Sequence, residues 1–334
     1  IWDFHEMHHV TDTPVESAAM AMNGGCDLNC GNMFYYLKQA VEEGMVEESR
    51  LDEALVGLLV ARMKLGVLDR KEENPYDRIP YSVVDSEPMR RLNREAAGRC
   101  LVLLKNQDGL LPLDKSALKT VGVIGPNANN RRALVGNYEG TASRYWTIAE
   151  GIQEYLGGDA RVMFSEGCHL YRDRVENIGD RNDRMAEVKA VCDCSDVIIA
   201  CLGLDASLEG EQGDANNEYG SVDKPNLNLP GLQEEVLEAA YASGKPVVLV
   251  LLSGSALAVN WADSHVPAIL QGWYPGAEGG RAIAEVLFGE RCPEGKLPVT
   301  FYRSSEELPD FEDYGMKGRT YRYMRQQALY PFMP

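Results

Sequence analysis

Two uninterrupted runs of branched apolar residues constrain the fold of this chain more than any other feature. Residues 197–202 read Val-Ile-Ile-Ala-Cys-Leu, and residues 247–252 read Val-Val-Leu-Val-Leu-Leu. Because no polar residue alternates with the apolar ones, these runs predict strands that are buried on both faces. Segments with helical periodicity separate such runs, and buried strands connected through helices pair in parallel. We therefore expect an α/β fold in which helices cover both faces of a sheet.

The same pattern extends over residues 116–302, which we predict to form a doubly wound α/β sandwich domain. The predicted strands are 120–125, 160–165, 196–202, 247–252 and 268–271. The predicted helices are 148–156, 184–190, 232–242 and 277–287. Sheets of this kind bind ligands in the crevice beyond the carboxyl ends of their strands.

The regions on either side of the sandwich have other patterns. Residues 1–68 read as helices around a short strand, which is consistent with the last part of a parallel α/β unit. The helices are predicted at 14–23, 34–43 and 48–65, and a short strand or strand end at 26–30. Residues 69–115 combine a charged, proline-bearing linker with a connecting helix that is predicted over 87–104. The tail, 303–334, shows little periodicity.

Charge and cysteine content limit the partners and the compartment. The net charge is −18, so the chain lacks the basic excess that a nucleic-acid partner requires. No stretch reaches the ~18 consecutive apolar residues of a membrane span, so we expect no membrane partner. We expect the eight cysteines to be free thiols in a reducing compartment, because an even count in a chain this long is weak evidence for disulfides. Cys26 and Cys30 have metal-like spacing, but no second pair follows at a zinc-site distance. We expect a cytoplasmic protein, or a secreted one if the full-length chain carries a signal peptide.

A match to H-E-x-x-H lies at His5-Glu6-Met7-His8-His9. This zinc-peptidase motif requires a helix, because only a helix places the first and last histidine on one face. The following Thr-Asp-Thr-Pro reads as the start of a new helix, so the motif itself is predicted to lie in a polar loop. A zinc peptidase is therefore kept only as a third hypothesis, which metal analysis would separate from the others.

A long polar loop follows the predicted strand 196–202 and carries several carboxylates. Its segment 207–214 reads Ser-Leu-Glu-Gly-Glu-Gln-Gly-Asp, so Glu209 and Glu211 lie two residues apart. A carboxylate in a loop beyond the carboxyl end of a parallel strand can reach a ligand without being held in the core. The alternative is an acidic loop that only faces solvent.

Seven stretches, taken together and in this order, resemble glycoside hydrolase family 3 enzymes of the β-xylosidase and β-glucosidase type. They are GGCDLNCG at 24–31, LVLLKN at 101–106 with LPL at 111–113, VIGPNA at 123–128, WYPG at 273–276, GKLPVTF at 295–301, GRTYRY at 318–323 and YPF at 330–332. Each motif is modest alone, but the resemblance covers essentially the whole chain.

The resemblance implies a domain organisation. Residues 1–68 would be the C-terminal part of a (β/α)₈-type barrel, residues 69–115 the linker and connecting helix, and residues 116–302 the sandwich domain. Residues 303–334 would lead to a fibronectin-like domain. The rest of the barrel and the fibronectin-like domain would then be further segments of the same enzyme.

The resemblance also implies retaining hydrolysis by two carboxylates, an Asp nucleophile on the barrel and a Glu acid/base on the sandwich loop. The matching loop contains Glu211, which we prefer as the acid/base, and Glu209, which would then orient the sugar or its partner. The nucleophile would precede Ile1, and Asp3 matches a position after that motif. Tyr138 and Trp146 are candidates for stacking on a sugar, although packing roles are the alternative. No metal or cofactor is implied, because carboxylates fill both chemical roles.

The first function hypothesis is a retaining exo-acting β-glycosidase that hydrolyses terminal β-xylosyl or β-glucosyl residues. Its substrates would be oligosaccharides or aryl glycosides, and the chain alone would be inactive without the nucleophile. The alternative is a non-catalytic carbohydrate-binding or scaffold fragment of such an enzyme. A Ser-Asp motif in the residues before Ile1 would favour the first hypothesis.

Overall fold

The computed structural model of this chain describes residues 1–209, 224–310 and 312–332. The chain divides into two compact units, Ile1–Val83 and Val84–Pro334. The division falls within the region that the sequence predicts to be linker and connecting helix.

The first unit is helical throughout its described elements. Its helices are α1 (Asp3–Glu6), α2 (Pro14–Asn23), α3 (Leu37–Glu42) and α4 (Glu48–Lys64), with a 3₁₀ turn at Met33–Tyr36. The sequence explains where α2 begins, because the Thr13 side chain accepts from the Glu16 N–H and the Glu16 side chain accepts from the Thr13 N–H. The three predicted helices are confirmed, with the second one beginning as a 3₁₀ turn.

Two features distinguish this unit from a globular domain with a complete core of its own. The strand predicted at 26–30 is wrong, because this segment pairs with no strand in the part of the chain that the structure describes. In α4, Ala54 is buried, whereas Leu55, Val56 and Met63 are more than half exposed. A small cluster that includes Val15, Met22 and Val46 forms the core of the unit.

The second unit contains a six-stranded sheet. Its strands are β1 (Val102–Asn106), β2 (Thr120–Ile124), β3 (Arg161–Ser165), β4 (Val197–Gly203), β5 (Val247–Leu252) and β6 (Ala268–Gln271). Their order is β1-β6-β5-β4-β2-β3, and every pair is parallel except β1 with β6. The chain moves outward from β2 to β3 and then crosses back to β4, so the strand order reverses between β2 and β4. This reversal point is where such sheets open a crevice.

Helices cover both faces of this sheet. The helices of the second unit are α5 (Glu87–Cys100), α6 (Ile148–Leu156), α7 (Met185–Asp193), α8 (Gln233–Ala242), α9 (Asn260–His265), α10 (Gly279–Leu287) and α11 (Thr320–Tyr323). Successive residues of β4 point to opposite faces, so Ile198 packs in the cluster with α7 and α8 while Ile199 packs in the cluster with α6 and α10. Both clusters are fully buried at β4, which confirms the predicted α/β sandwich.

In the second unit, one predicted helix is a strand in its last part. The helix predicted over 87–104 ends at Cys100, and β1 then runs antiparallel to β6 as the edge of the sheet. Leu101 has ψ 133°, which turns the backbone from helical to extended. The pairing of β1 with β6 buries Val102, and this tertiary contact overrides the helical pattern of the local sequence. No described helix has the length and apolar character needed to cross a membrane.

Candidate functional site

Three loops meet at the carboxyl edge of the sheet, where the parallel strands β4, β5 and β6 end side by side. The loop after β4 carries Glu209, the loop after β5 carries Gly254 and Ser255, and the loop after β6 carries Tyr274. Because neighbouring parallel strands end at the same edge, residues far apart in sequence are brought into contact there.

The Glu209 carboxylate accepts hydrogen bonds from all three of these loop residues. Its Oε2 accepts from the Gly254 N–H at 2.6 Å and from the Tyr274 hydroxyl, and its Oε1 accepts from the Ser255 hydroxyl. A carboxylate has about four lone-pair positions, so three are used within the protein. The side chain is held as an acceptor that joins the loops.

Two local features give Glu209 this position. Asp205, which is 3% exposed, accepts from the Ser207 N–H at 2.8 Å and from the Ser207 hydroxyl at 2.5 Å. The Leu208 and Glu209 N–H groups donate to the Asp205 carbonyl at 3.0 and 3.1 Å, which forms a compact turn. Asparagine, aspartate and serine favour such turns because their side chains replace a backbone partner.

The Tyr274 side chain reaches Glu209 from an unusual backbone conformation. Trp273, directly before it, has φ +56°, a left-handed value that is rare for a bulky residue. The Trp273 indole N–H donates to the Cys100 carbonyl at 3.0 Å, which holds the residue in place. Burial raises the pKa of the Tyr274 hydroxyl, and the nearby Glu209 carboxylate raises it further. The hydroxyl therefore keeps its proton and remains a donor to Glu209.

Lys224, the first described residue after segment 210–223, also contacts this group of residues. Its Nζ donates to the Ser255 Oγ at 2.7 Å and to the Ala256 carbonyl at 2.6 Å. Burial lowers the pKa of this ammonium group, and the Glu209 charge works in the opposite direction. Both residues that flank the segment thus bind the turn 254–256.

The other predicted site residues lie elsewhere or outside the described residues. Glu211, the preferred acid/base, lies outside the described residues. Tyr138 lies in the loop after β2 with 82% of its surface exposed and φ +63°. Trp146 precedes α6, and the guanidinium carbons of Arg144 and Arg281 lie 3.9 and 3.8 Å from its ring centroid. These two cations account for the position of the Trp146 ring through cation–π attraction.

A polar cavity of about 610 Å³ lies beyond β2, β3 and β4, next to the point where strand order reverses. Its lining includes Asn129, Asn130, Glu166, His169 and Asp205. The Asn130 amide donates to Asp205 at 3.2 Å, so this cavity and the Glu209 loop share a buried carboxylate. Burial raises the pKa of Glu166, while Arg184 at 2.9 Å opposes the shift.

The structure does not support a zinc site at the H-E-x-x-H match. Helix α1 ends at Glu6, and His9 lies beyond it with φ +48°. The two outer histidines therefore share no helical face; instead the His9 ring nitrogen Nδ1 lies 2.9 Å from the His5 carbonyl. The described residues contain no group of three or more His, Cys, Asp or Glu side chains arranged to hold a metal. All eight cysteines are free, as predicted.

Sequence reasoning missed Ser255, Tyr274 and Lys224 as members of the site. A signal was present for two of them, because Gly254 follows a buried strand and Tyr274 belongs to the WYPG stretch. Neither signal indicates that the side chains meet Glu209, since the contacts cross 46 and 65 residues of sequence.

Comparisons with known proteins agree on one family. Residues 101–333 match the domain described as "Glycosyl hydrolase family 3 C-terminal domain". Beta-D-xylosidase 1 of Arabidopsis thaliana is 35% identical over 348 residues, which cover 98% of this chain and 41% of that protein. Xylan 1,4-beta-xylosidase of Xylanibacter ruminicola is 28% identical over 474 residues, which cover 99% of this chain and 54% of that protein.

Solved structures give the same answer for the fold. A β-glucosidase from Erythrobacter marinus superposes with a TM-score of 0.83 at 33% identity, over 99% of this chain and 46% of that one. A family 3 exo-β-xylosidase in complex with a xylobiose aziridine activity-based probe superposes with a TM-score of 0.86 at 27% identity, over 99% and 42%. The chain thus spans about half the length of the proteins it resembles.

Proposed function

This chain belongs to glycosyl hydrolase family 3, and we propose that it is part of a retaining, exo-acting β-glycosidase. The proposed substrates are oligosaccharides and aryl glycosides that end in a β-xylosyl or β-glucosyl residue. The names of the relatives support both sugars, because xylosidases and glucosidases are found among them. No metal or cofactor enters the proposal, since two carboxyl groups supply the chemistry.

The observation that carries the proposal is the arrangement around Glu209. Its carboxylate is engaged by Gly254, Ser255 and Tyr274, so it has little capacity left for a substrate proton. This favours Glu209 as the residue that orients the loop. We assign the acid/base role to Glu211, two residues further along, which lies outside the described residues.

In the proposed reaction an Asp nucleophile, which we place in the part of the enzyme before Ile1, attacks the anomeric carbon of the terminal sugar. As the bond to the leaving oxygen breaks, Glu211 transfers its proton to that oxygen. Glu211 then takes a proton from water, the water oxygen attacks the anomeric carbon, and the Asp carboxylate is released. Two inversions at one carbon give retention, which requires the two carboxyl groups to lie ~5–5.5 Å apart.

A role in binding the sugar is proposed for Tyr138 alone of the two aromatic candidates. Its side chain is 82% exposed and belongs to the connection between β2 and α6. For Trp146, the two guanidinium groups over the ring favour a packing role.

The test is turnover of 4-nitrophenyl β-xyloside and β-glucoside by the complete enzyme, with the anomeric form of the released sugar followed by proton NMR. We expect saturable turnover of at least one substrate and the β-anomer as the first product. The 334-residue chain alone should be inactive, because the nucleophile is needed for the covalent step. Sugar binding without turnover by the complete enzyme would instead support the non-catalytic alternative, and an α-anomer would exclude retention.

A further inference from the structure

We propose that Ser255, together with Lys224, is a positioning centre that sets where the acid/base loop begins and ends. This inference rests on the proposed glycosidase function and adds to it two residues that do not touch the substrate. It concerns the placement of the acid/base group, which acts on the leaving oxygen.

Both residues that flank the segment 210–223 meet at one hydroxyl. Ser255 Oγ donates to Glu209 Oε1 and accepts from Lys224 Nζ at 2.7 Å. Glu209 and Lys224, the described residues on either side of this segment, therefore share one hydrogen-bonding partner, the Ser255 hydroxyl.

The turn that carries Ser255 is itself fixed to the sheet. The buried Gln271 side chain, at the end of β6, donates to the Ser253 carbonyl at 3.2 Å and to its hydroxyl at 3.1 Å. The Ser253 hydroxyl donates to the Ser255 carbonyl at 2.8 Å. A chain of hydrogen bonds therefore runs from β6 through the end of β5 to Ser255, and groups held in this way by rigid strands are positioned well.

Charge adds to this geometry. Glu209 and Lys224 carry opposite charges, and the Ser255 hydroxyl lies between them as acceptor from one and donor to the other. Removing either charged partner leaves the other one half-buried without its neighbour, which costs more than a neutral hydrogen bond. The pair therefore favours a single arrangement of the loop ends.

Positioning has a kinetic consequence that stability alone does not have. A displacement of ~1 Å in a catalytic group can reduce the rate about 10²-fold. The loss falls on substrates whose leaving group needs a proton, because acid assistance contributes little to a good leaving group. A misplaced acid/base should thus change leaving-group dependence, whereas a partly unfolded enzyme loses both activities in proportion.

The experiment compares kcat/KM, which reports the steps up to formation of the glycosyl-enzyme, for xylobiose and 2,4-dinitrophenyl β-xyloside in the complete enzyme and its variants. For Ser255→Ala we expect kcat/KM on xylobiose to fall ~10–100-fold and kcat/KM on the aryl xyloside to fall less than ~3-fold. Ser255→Thr keeps the hydroxyl and should restore most of the xylobiose rate. Lys224→Met should show the same pattern as Ser255→Ala, which keeps the test valid if that variant folds poorly. Ser264→Ala removes an exposed hydroxyl that only donates to a helix carbonyl, and it should change neither rate.

The positioning role would be overturned if a variant lost activity on both substrates equally. It would also be overturned if Ser255→Ala or Lys224→Met kept the full activity on xylobiose. An unmodified enzyme that turns over neither substrate would overturn the proposed function itself, and the positioning role with it. The aryl substrate distinguishes the two failures, because the unmodified enzyme must hydrolyse it under the proposed function whatever Ser255 does.

Discussion

Replacement of Gly151 by alanine should destabilise the sandwich through a backbone clash between two helices. Gly151 of α6 faces Gly280 of α10 so closely that an added Cβ would lie 2.2 Å from both the Gly280 carbonyl carbon and its oxygen. The Arg281 N would be 2.7 Å away. All three atoms belong to the backbone, so no side-chain rotation can relieve the contact.

The magnitude follows from two opposing contributions. Alanine is the better helix former by ~1 kcal/mol, which favours the variant. Overpacking of a well-packed core costs typically ~1–3 kcal/mol and sometimes more, and rigid backbone on both sides places this site at or above the upper end. We expect a net loss of about 2 kcal/mol or more in the free energy of unfolding. For a unit of this size that corresponds to about 4–8 °C in Tm.

Differential scanning calorimetry of the chain provides the measurement, with the transition of the second unit followed separately if two transitions appear. Gly158→Ala is the matched control, because its added Cβ would meet no heavy atom within 4 Å. The control should stay within ~0.5 kcal/mol of the original protein. A Gly151→Ala variant as stable as the control would refute the close packing of α6 on α10.

Two further predictions concern titration and thiol reactivity. Hydrogen bonds from Ser143 and Arg90 lower the pKa of Asp85 from 3.8 to about 2, so its stabilisation is complete above pH ~4 and is lost as pH falls towards 2. Asp85→Asn, which tolerates the same positive φ, should cost ~1–2 kcal/mol in urea unfolding at pH 7. The cost should be much smaller at pH 2, where about half of the Asp85 carboxyl is protonated, and an equal cost at both pH values would contradict this. Burial raises the pKa of the Cys201 thiol, whereas Cys194 is exposed. Mass spectrometry after brief maleimide treatment should therefore find Cys194 modified and Cys201 unmodified until the protein unfolds. Early labelling of Cys201 would contradict its burial.

Much of the sheet could be predicted from sequence because its strands are buried on both faces. Burial on two faces demands continuous apolar residues, and β4 and β5 show that signal without interruption. The edge strand β1 lacks such a signal, since four of its five residues are only partly buried and the preceding helix pattern continues into it. Its partner β6 lies more than 160 residues away, and local propensity does not report such a pairing.

The candidate site was predictable only in part. The position of Glu209 in a carboxylate-bearing loop after a buried strand is visible in the sequence. Its three donors are not, because they lie on two other loops and the Tyr274 contact depends on the left-handed backbone at Trp273. Tertiary contacts that force a bulky residue into this conformation override its local preference.

The most direct test of the central claim compares Glu211→Ala and Glu209→Ala in the complete enzyme, with and without azide. The account predicts that Glu211→Ala loses ~10²–10⁴-fold on xylobiose, retains far more activity on 2,4-dinitrophenyl β-xyloside, and forms β-xylosyl azide when azide is added. Glu209→Ala should form no azide product, because its carboxylate holds the loop. Azide rescue of Glu209→Ala together with near-normal activity of Glu211→Ala would contradict the account.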